Sequence, residues 1–171
     1  LVVLEGIYSM LGDRAPLNVA LSQDGKVIFS RASQYLAPPF EVAHGGGIFR
    51  SVTVPFGSAD DKALLKATND VMTAFGMQHS ASHTEFIKCH EDGAFYFLET
   101  ASRVGGAHLA EMVECSSNVN MWREWAKLEV AVATGKKYEL PKLRKDHAGI
   151  IVSLTHQEWQ DTSQFNDPAI A

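Results

Sequence analysis

Cysteine is scarce in this sequence, and positive charge is not in excess. The 171 residues include two cysteines, Cys89 and Cys115. They are too few for a disulfide framework and lack the paired spacing of a zinc site, so we expect a reducing, cytoplasmic environment. The 15 Lys and Arg residues are outnumbered by 20 Asp and Glu residues, which gives a formal net charge of −5. This balance argues against nucleic acid or an anionic membrane surface as partner and favours a small substrate or a protein.

Long apolar runs are also lacking. No stretch approaches the about 18 consecutive apolar residues that a membrane span needs, and no signal peptide is visible, so no membrane association is expected. The sequence opens with "LVVLEG", which reads as the middle of a strand, and closes with "FNDPAIA". We therefore expect a fragment of a longer polypeptide.

What is present is an alternation of strand-like and helical stretches. The runs "LNVALS" and "VIFSRASQY" flank Asp24-Gly25, a hairpin signal, and a helix is expected from a cap at Ser58 to about Phe75. The strands "SHTEFIKCH" and "AFYFLE" surround "EDG" and precede the helical stretches "AHLAEMVECSS" and "VNMWREWAKLEVAVATG". This order predicts an α+β fold, an antiparallel sheet with helices packed on one face.

Two carboxylates stand in the neighbouring strands of the second hairpin. Glu85 and Glu99 each lie in an apolar strand, and the short "EDG" turn would place these strands side by side. Mg²⁺ is held by one or two carboxylates plus substrate phosphates, and Arg103 offers a planar fork for a phosphate or carboxylate. The pattern predicts a metal and phosphoryl site, with a solvated rim pair of Glu99 and Arg103 as the alternative.

Two glycines follow the arginine. Gly105 and Gly106 permit close approach of the backbone to a ligand, and a helix beginning near Ala107 would point its amides at an anion. The alternative is a tight strand-to-helix connection without a ligand. His79 and His83 are four residues apart in a loop-to-strand segment, where that spacing does not place them on one face, so zinc is not favoured.

The segment "HTEFIKCHEDGAFYFLETASRVGG" resembles the ATP-grasp superfamily, in its biotin carboxylase-like, carbamoyl-phosphate synthase-like and L-amino-acid ligase branch. Its members often show an acid in a strand, a short hairpin, and F-x-E-x-N-x-R followed by glycines. Glu85 and Glu99 match the acids and Arg103 the arginine. The resemblance implies that the glutamates hold Mg²⁺ and ATP, and that Arg103 is the catalytic residue that contacts the transferred phosphoryl group or the acyl-phosphate. Gly105 and Gly106 are the expected backbone contacts to the nucleotide.

The same resemblance extends to weaker positions and has departures. Glu5 would fall in the interdomain strand that contacts adenine and ribose, or is simply solvated, and Ile87 faces either the adenine or the core. Ala101 stands where the family has an asparagine that helps to hold a second metal. The strand near residues 17–20 lacks the His or acid of many members. The family's phosphate-covering loop and nucleotide-binding lysines lie upstream, so the isolated chain is expected to be inactive.

The implied function is part of an ATP- and Mg²⁺-dependent ligase that activates a carboxylate or bicarbonate as an acyl-phosphate for attack by an amine or another nucleophile. A biotin carboxylase-like enzyme and a non-catalytic nucleotide- or protein-binding module are the alternatives, the latter favoured by Ala101. Residues 1–135 are expected to form the C-terminal ATP-grasp subdomain, and 136–171 a linker and the start of a further subdomain. Expected partners are a small carboxylate substrate and the missing N-terminal domains, with a homodimer left open.

Overall fold

The computed structural model describes residues 16–37, 42 and 48–152. Within them the elements are, in chain order, β1 (Pro16–Gln23), β2 (Lys26–Tyr35), β3 (Phe49–Thr53), α1 (Ala59–Ala74), β4 (Ser80–Lys88), β5 (Phe95–Ala101), α2 (Leu109–Ser117), α3 (Met121–Thr134) and β6 (Gly149–Val152). The strands form one sheet in the order β5-β4-β1-β2-β3-β6, and every neighbouring pair is antiparallel. The expected α+β class with an antiparallel sheet is confirmed.

The first hairpin turns at the predicted dipeptide. Gln23 and Lys26 are paired across the turn, and the two residues between them, Asp24 and Gly25, have φ values of 51° and 74°. Two consecutive residues with positive φ form the kind of turn whose twist matches that of the flanking strands, which is why Asp-Gly is favoured there. This local signal therefore fixes how β1 and β2 are joined.

Helix α1 also begins where its capping residues predict. The Ser58 hydroxyl accepts a hydrogen bond from the amide of Asp61 at 3.2 Å, and the Asp61 carboxylate accepts one from the amide of Gly57 at 2.8 Å. These contacts satisfy amides that a helix N-terminus leaves without intrahelical partners. The helix ends at a C-cap, Phe75, and Gly76 follows with φ of 64°.

The helices divide between the two faces of the sheet, whereas the sequence favoured one face. On β1 the Asn18 amide donates to the hydroxyl of Thr68 in α1 at 2.9 Å. The adjacent positions Leu17 and Val19 belong instead to a core cluster with residues of α2 and the start of α3. Because successive side chains of a strand point to opposite faces, α1 covers one face and α2 and α3 the other.

A buried arginine ties the centre of the sheet to the segments around it. The side chain of Arg31 is 1 % exposed. Its guanidinium donates to the carbonyl of Val54 at 2.8 Å, the carbonyl of Asp146 at 3.0 Å and the hydroxyl of Ser116 at 3.3 Å. Burial lowers the pKa of Arg31, and the charge of Asp61 opposes that shift. These acceptors link β2 to α2 and to the chain before β6.

Strand β6 extends this same sheet beyond residue 135. It pairs with β3, and the amide of Thr53 donates to the carbonyl of Ala148 at 2.9 Å. In the described residues the sheet therefore does not break at the expected boundary between 135 and 136, and the assignment of a further subdomain within 136–171 stays a prediction. No helix in the described part of the chain is long and apolar enough to cross a membrane.

Candidate functional site

The second hairpin places the two candidate metal ligands side by side. Glu85 on β4 and Glu99 on β5 are direct partners in the antiparallel register. Directly opposed residues project from the same face, with Cβ atoms about 4.5–5.5 Å apart. The next pair is Phe86 with Phe97, so β5 carries one extra residue, Leu98, in a bulge beside Glu99. Bulges are common next to functional sites because they redirect a side chain and interrupt regular pairing.

Polar contacts on the opposite face hold this register. Thr84 and Thr100 are also direct partners, and their hydroxyl oxygens lie 2.8 Å apart. The Thr100 hydroxyl is in addition 3.3 Å from the carbonyl oxygen of His83. A one-residue slip of β5 against β4 would move Glu99 to the face of the sheet opposite Glu85, so these contacts help to keep the carboxylates together.

The Glu85 carboxylate is partly buried and is contacted from two directions. Its side chain is 17 % exposed, the Tyr35 hydroxyl donates to Oε1 at 3.1 Å, and His83 Nε2 lies 3.2 Å from the same oxygen. Burial alone would raise the pKa of Glu85, but the imidazole of His83, the hydroxyl of Tyr35 and the charge of Arg103 together lower it. Glu85 is therefore a carboxylate anion at neutral pH, the form in which it can bind a cation.

His83 is enclosed next to this carboxylate. It is 5 % exposed, and within the described residues neither ring nitrogen has a hydrogen-bond partner. The approach of Nε2 to Glu85 is within ion-pair distance but is not directed as a hydrogen bond. The register partner of His83 is Ala101, the position of the family's asparagine. The departure at 101 therefore places a methyl group, and no oxygen, beside the imidazole.

Arg103 lies beyond the end of β5 and is exposed to solvent. Its guanidinium donates to the carbonyl of the adjacent Val104 at 3.1 Å. Both Arg103 and Glu99 belong to the described residues, and no ion pair joins them there, so the rim pair that was the alternative interpretation does not form. The fork of Arg103 thus remains near Glu85 as a positive charge that a ligand can reach.

The two glycines have different surroundings. A Cβ atom on Gly105 would lie 3.1 Å from His83 Nδ1 and 3.2 Å from the Leu109 side chain, whereas a Cβ on Gly106 would meet nothing within 4 Å. Gly105 is therefore needed for close packing over His83. Helix α2 begins at Leu109, two residues later than expected, after a left-handed His108 whose side chain makes no capping hydrogen bond.

The remaining expected positions do not join this group. Ile87 is 1 % exposed, so its side chain lies in the core of the described fold, and Glu5 lies outside the described residues. Among the residues described, no cluster of three or more His, Cys, Asp or Glu side chains could hold a metal. The pair of Glu85 and Glu99 is thus a partial oxygen cage. This fits Mg²⁺, which usually takes its other ligands from phosphate and water.

Tyr35 and His83 are site residues that sequence reasoning missed. His83 precedes Glu85 by two positions on one strand, so the alternation of strand side chains was a signal that it shares a face with that carboxylate. Tyr35 is 50 residues away in sequence from Glu85. No local pattern could have indicated that contact, because it depends on how β2, β1 and β4 are ordered in the sheet.

Comparisons with known proteins support the fold. No protein-family model matches the chain, and no curated protein matches it either. Among solved structures, the L-amino acid ligase from Bacillus licheniformis is similar with a TM-score of 0.55 at 21% identity, covering 67% of this chain and 29% of the ligase. The phosphoribosylglycinamide synthetase from Anaerococcus prevotii has a TM-score of 0.53 at 19% identity, covering 68% of this chain and 29% of the synthetase.

A third similar structure is the biotin carboxylase domain dimer of the 2-oxoglutarate carboxylase from Hydrogenobacter thermophilus, in complex with MgADP, ADP and bicarbonate. Its TM-score is 0.50 at 17% identity, and the match covers 80% of this chain and 28% of that one. At these identities the likeness shows the fold, which is that of the ATP-grasp enzymes, as the hairpin motif indicated. The chain spans less than a third of the length of these three structures.

Proposed function

We propose that this chain, which has the ATP-grasp fold, is the C-terminal part of an ATP- and Mg²⁺-dependent ligase. The reaction is the activation of a carboxylate or bicarbonate as an acyl-phosphate, which an amine or another nucleophile then attacks. The observation that carries this proposal is the direct pairing of Glu85 with Glu99 on one face of the β4–β5 hairpin. Two carboxylates in that arrangement suit a hard cation that is also bound by phosphate oxygens.

Each residue of the site has a role that its position allows. Glu85 and Glu99 would hold Mg²⁺, which neutralises charge on the nucleotide phosphates when it is bound. Glu85 is kept ionised by its neighbours, as its lowered pKa indicates. Arg103 would contact the phosphoryl group during transfer, because its planar fork can bind two oxygens at once. The chain itself forms no covalent bond to substrate, and its contribution is positioning and charge stabilisation.

The backbone after Arg103 would complete the phosphate contact. Gly105 and Gly106 let the chain approach a ligand closely, and the first turn of α2 has no side-chain capping hydrogen bond from its N-cap residue. Amides at a helix N-terminus favour anions. We assign the nucleotide to this side of the hairpin, with Glu5 as a further contact to adenine and ribose.

The proposed partners and location follow from the proposal that this chain is part of a larger ligase. The remaining nucleotide-binding parts would come from other domains of the same polypeptide, in keeping with a match to less than a third of the related structures. The 171-residue chain alone would then turn over no ATP. A homodimer is proposed by analogy with the Hydrogenobacter domain dimer. The two cysteines are free thiols, which supports a cytoplasmic location.

Two alternatives have specific support. A biotin carboxylase-like enzyme is favoured by the similar structure that holds MgADP and bicarbonate. A non-catalytic nucleotide- or protein-binding module is favoured by Ala101, which offers no oxygen to a second metal. Of the three, only the ligase would consume ATP in response to a carboxylate other than bicarbonate.

The test is phosphate release by the full-length protein that contains this chain. It is incubated with ATP, Mg²⁺ and a panel of amino acids, other carboxylates and bicarbonate, with and without amine acceptors. The ligase proposal expects release that needs both Mg²⁺ and one carboxylate of the panel. Release that responds to bicarbonate alone, and to the same extent with and without an amine acceptor, would favour the carboxylase alternative, and nucleotide binding without release would favour the module.

A further inference from the structure

The carboxylate of Glu85 is held by two side chains that the proposed reaction has not used. We infer that Tyr35 and His83 are positioning residues that fix the Glu85 carboxylate so that one of its oxygens faces the metal. This inference rests on the metal site proposed above. Its evidence is the geometry around a single atom, Oε1 of Glu85.

Tyr35 reaches this atom from a strand that is not adjacent to β4. It ends β2, and β1 separates β2 from β4 in the sheet. Its hydroxyl is 3.1 Å from Oε1, and its ring is 8 % exposed and packs on Phe49 with ring centroids 5.3 Å apart. Packing of the ring therefore fixes the hydroxyl, and through it the carboxylate oxygen.

His83 contacts the same atom from its own strand. Its Nε2 lies 3.2 Å from Oε1. On the other side of the ring, the backbone at Gly105 approaches so closely that a Cβ there would lie 3.1 Å from Nδ1. The imidazole is thus packed between β4 and the loop that follows β5, with little free space on the side away from Glu85.

Both contacts fall on one oxygen, and among the described residues the other oxygen of the carboxylate, Oε2, accepts no hydrogen bond, so Oε2 would be the atom that binds a cation. Residues that hold a ligating carboxylate typically change metal affinity by about 10–100-fold when they are replaced. Glu99, by contrast, is exposed on the edge strand. The pair would therefore combine one fixed ligand with one that adapts to the bound nucleotide.

The test uses Mn²⁺ as the probe, titrated in the presence of ADP into the ¹⁵N-labelled full-length protein that contains this chain. Paramagnetic broadening of the backbone amide signals around residues 85 and 99 reports occupancy. Tyr35→Phe and His83→Gln are expected to raise the apparent dissociation constant about tenfold. Tyr96→Phe is the matched control, because its hydroxyl bonds Asp92 at 2.8 Å at the other end of the same hairpin, and it should leave the constant unchanged.

A double-mutant cycle separates positioning from a general loss of structure. If Tyr35 acts through Glu85, Tyr35→Phe should weaken Mn²⁺ binding in the wild-type background and have no further effect in Glu85→Gln. Tyr35→Phe removes only a hydroxyl and keeps the packed ring, so it tests the inference even if His83→Gln fails to fold. Thermal unfolding of each variant confirms that titrations are made on folded protein.

The outcomes distinguish this inference from the proposal beneath it. If Glu85→Gln and Glu99→Gln weaken Mn²⁺ binding but Tyr35→Phe and His83→Gln do not, the positioning role is wrong and the metal site stands. An equal effect of Tyr35→Phe in both backgrounds also overturns the positioning role. If the wild type binds no Mn²⁺, or Glu85→Gln and Glu99→Gln bind it as the wild type does, the metal site and the inference fail together.

Discussion

Arg103 is the proposed contact to the transferred phosphoryl group. Its described hydrogen bond is to the carbonyl of the next residue, so its guanidinium contributes little to the stability of the fold. A lysine would keep the charge but lose the planar fork that binds two oxygens. We therefore expect Arg103→Lys to lower kcat/KM for ATP consumption at least about tenfold in the full-length protein, because one charge-assisted hydrogen bond would be lost.

Steady-state phosphate release measures this effect, and Arg103→Ala provides the comparison. Both variants should unfold at the wild-type temperature. If Arg103→Lys retained full activity while Arg103→Ala lost it, a point charge would be sufficient and the two-oxygen contact would be wrong.

Substitution of the two glycines between β5 and α2 should affect the stability of the fold differently. Gly105→Ala should lower the free energy of unfolding by about 1–3 kcal/mol, because its Cβ would press on His83 and Leu109. Gly106→Ala is the matched control, and since its Cβ meets open space the change should stay within about 0.5 kcal/mol. Chemical denaturation measures both. Equal effects would mean that the loop does not pack over His83 as described.

Helix α3 is joined to the following segment by a buried carboxylate. Glu124 is 0 % exposed, accepts from Arg123 at 2.9 Å and Lys127 at 3.0 Å, and accepts from the Tyr138 hydroxyl at 3.1 Å. Burial alone would raise the pKa of Glu124, but these three partners lower it. We expect Glu124→Gln to reduce the free energy of unfolding by about 1–3 kcal/mol at pH 7.

This loss should depend on pH in one direction. The folded-state pKa of Glu124 lies below the unfolded one, so the ionised form stabilises the fold above the ordinary glutamate value of about 4.3, and that stabilisation disappears as pH falls through the lowered value. The difference between wild type and Glu124→Gln should therefore shrink in denaturation series taken from pH 7 to 3. Glu129→Gln, an exposed position on the same helix, is the control, and a pH-independent difference for Glu124 would contradict this account.

At the scale of the whole molecule, the sheet extends past residue 135. A chain that ends at 135 lacks β6 and two carbonyl groups that accept hydrogen bonds. These are the carbonyl of Asp146, which accepts from Arg31, and the carbonyl of Ala148, which accepts from the amide of Thr53. We expect it to be less stable than a chain that ends at 152 by at least about 2 kcal/mol, since two donors lose their partners. Equal cooperative unfolding of the two chains would instead support a boundary at 135.

Local signals predicted much of this fold. Asp24-Gly25 and the Ser58 cap act through neighbouring backbone groups, so their turn and helix start could be read from a few residues. The pairing of Glu85 with Glu99 followed from the short turn between their strands. The sequence showed that Ala101 departs from the family pattern, but it could not show that Ala101 would pair with His83.

Long-range features could not be predicted in the same way. The distribution of helices over both faces rests on contacts between distant residues. One of them is the hydrogen bond between Asn18, in a strand buried on both sides, and Thr68, which spans 50 positions. The buried guanidinium of Arg31 donates to the backbone carbonyls of Val54 and Asp146. Every residue has a backbone carbonyl, so the sequence does not indicate which ones will accept these bonds. The contact of Tyr35 with Glu85 likewise joins residues that are distant in sequence and could not be predicted.

The central claim is that the paired glutamates hold the metal of an ATP-consuming ligase, and Glu99→Gln tests it most directly. The amide keeps the shape and removes the charge, so Mg²⁺-dependent ATP consumption by the full-length enzyme should fall at least ~10²-fold, the scale of losing one electrostatic stabiliser. Glu91→Gln, an exposed acid in the turn of the same hairpin, should leave it unchanged. If Glu99→Gln stays folded and turns over ATP at the wild-type rate, Glu99 is a solvated strand-end charge and the metal is bound elsewhere.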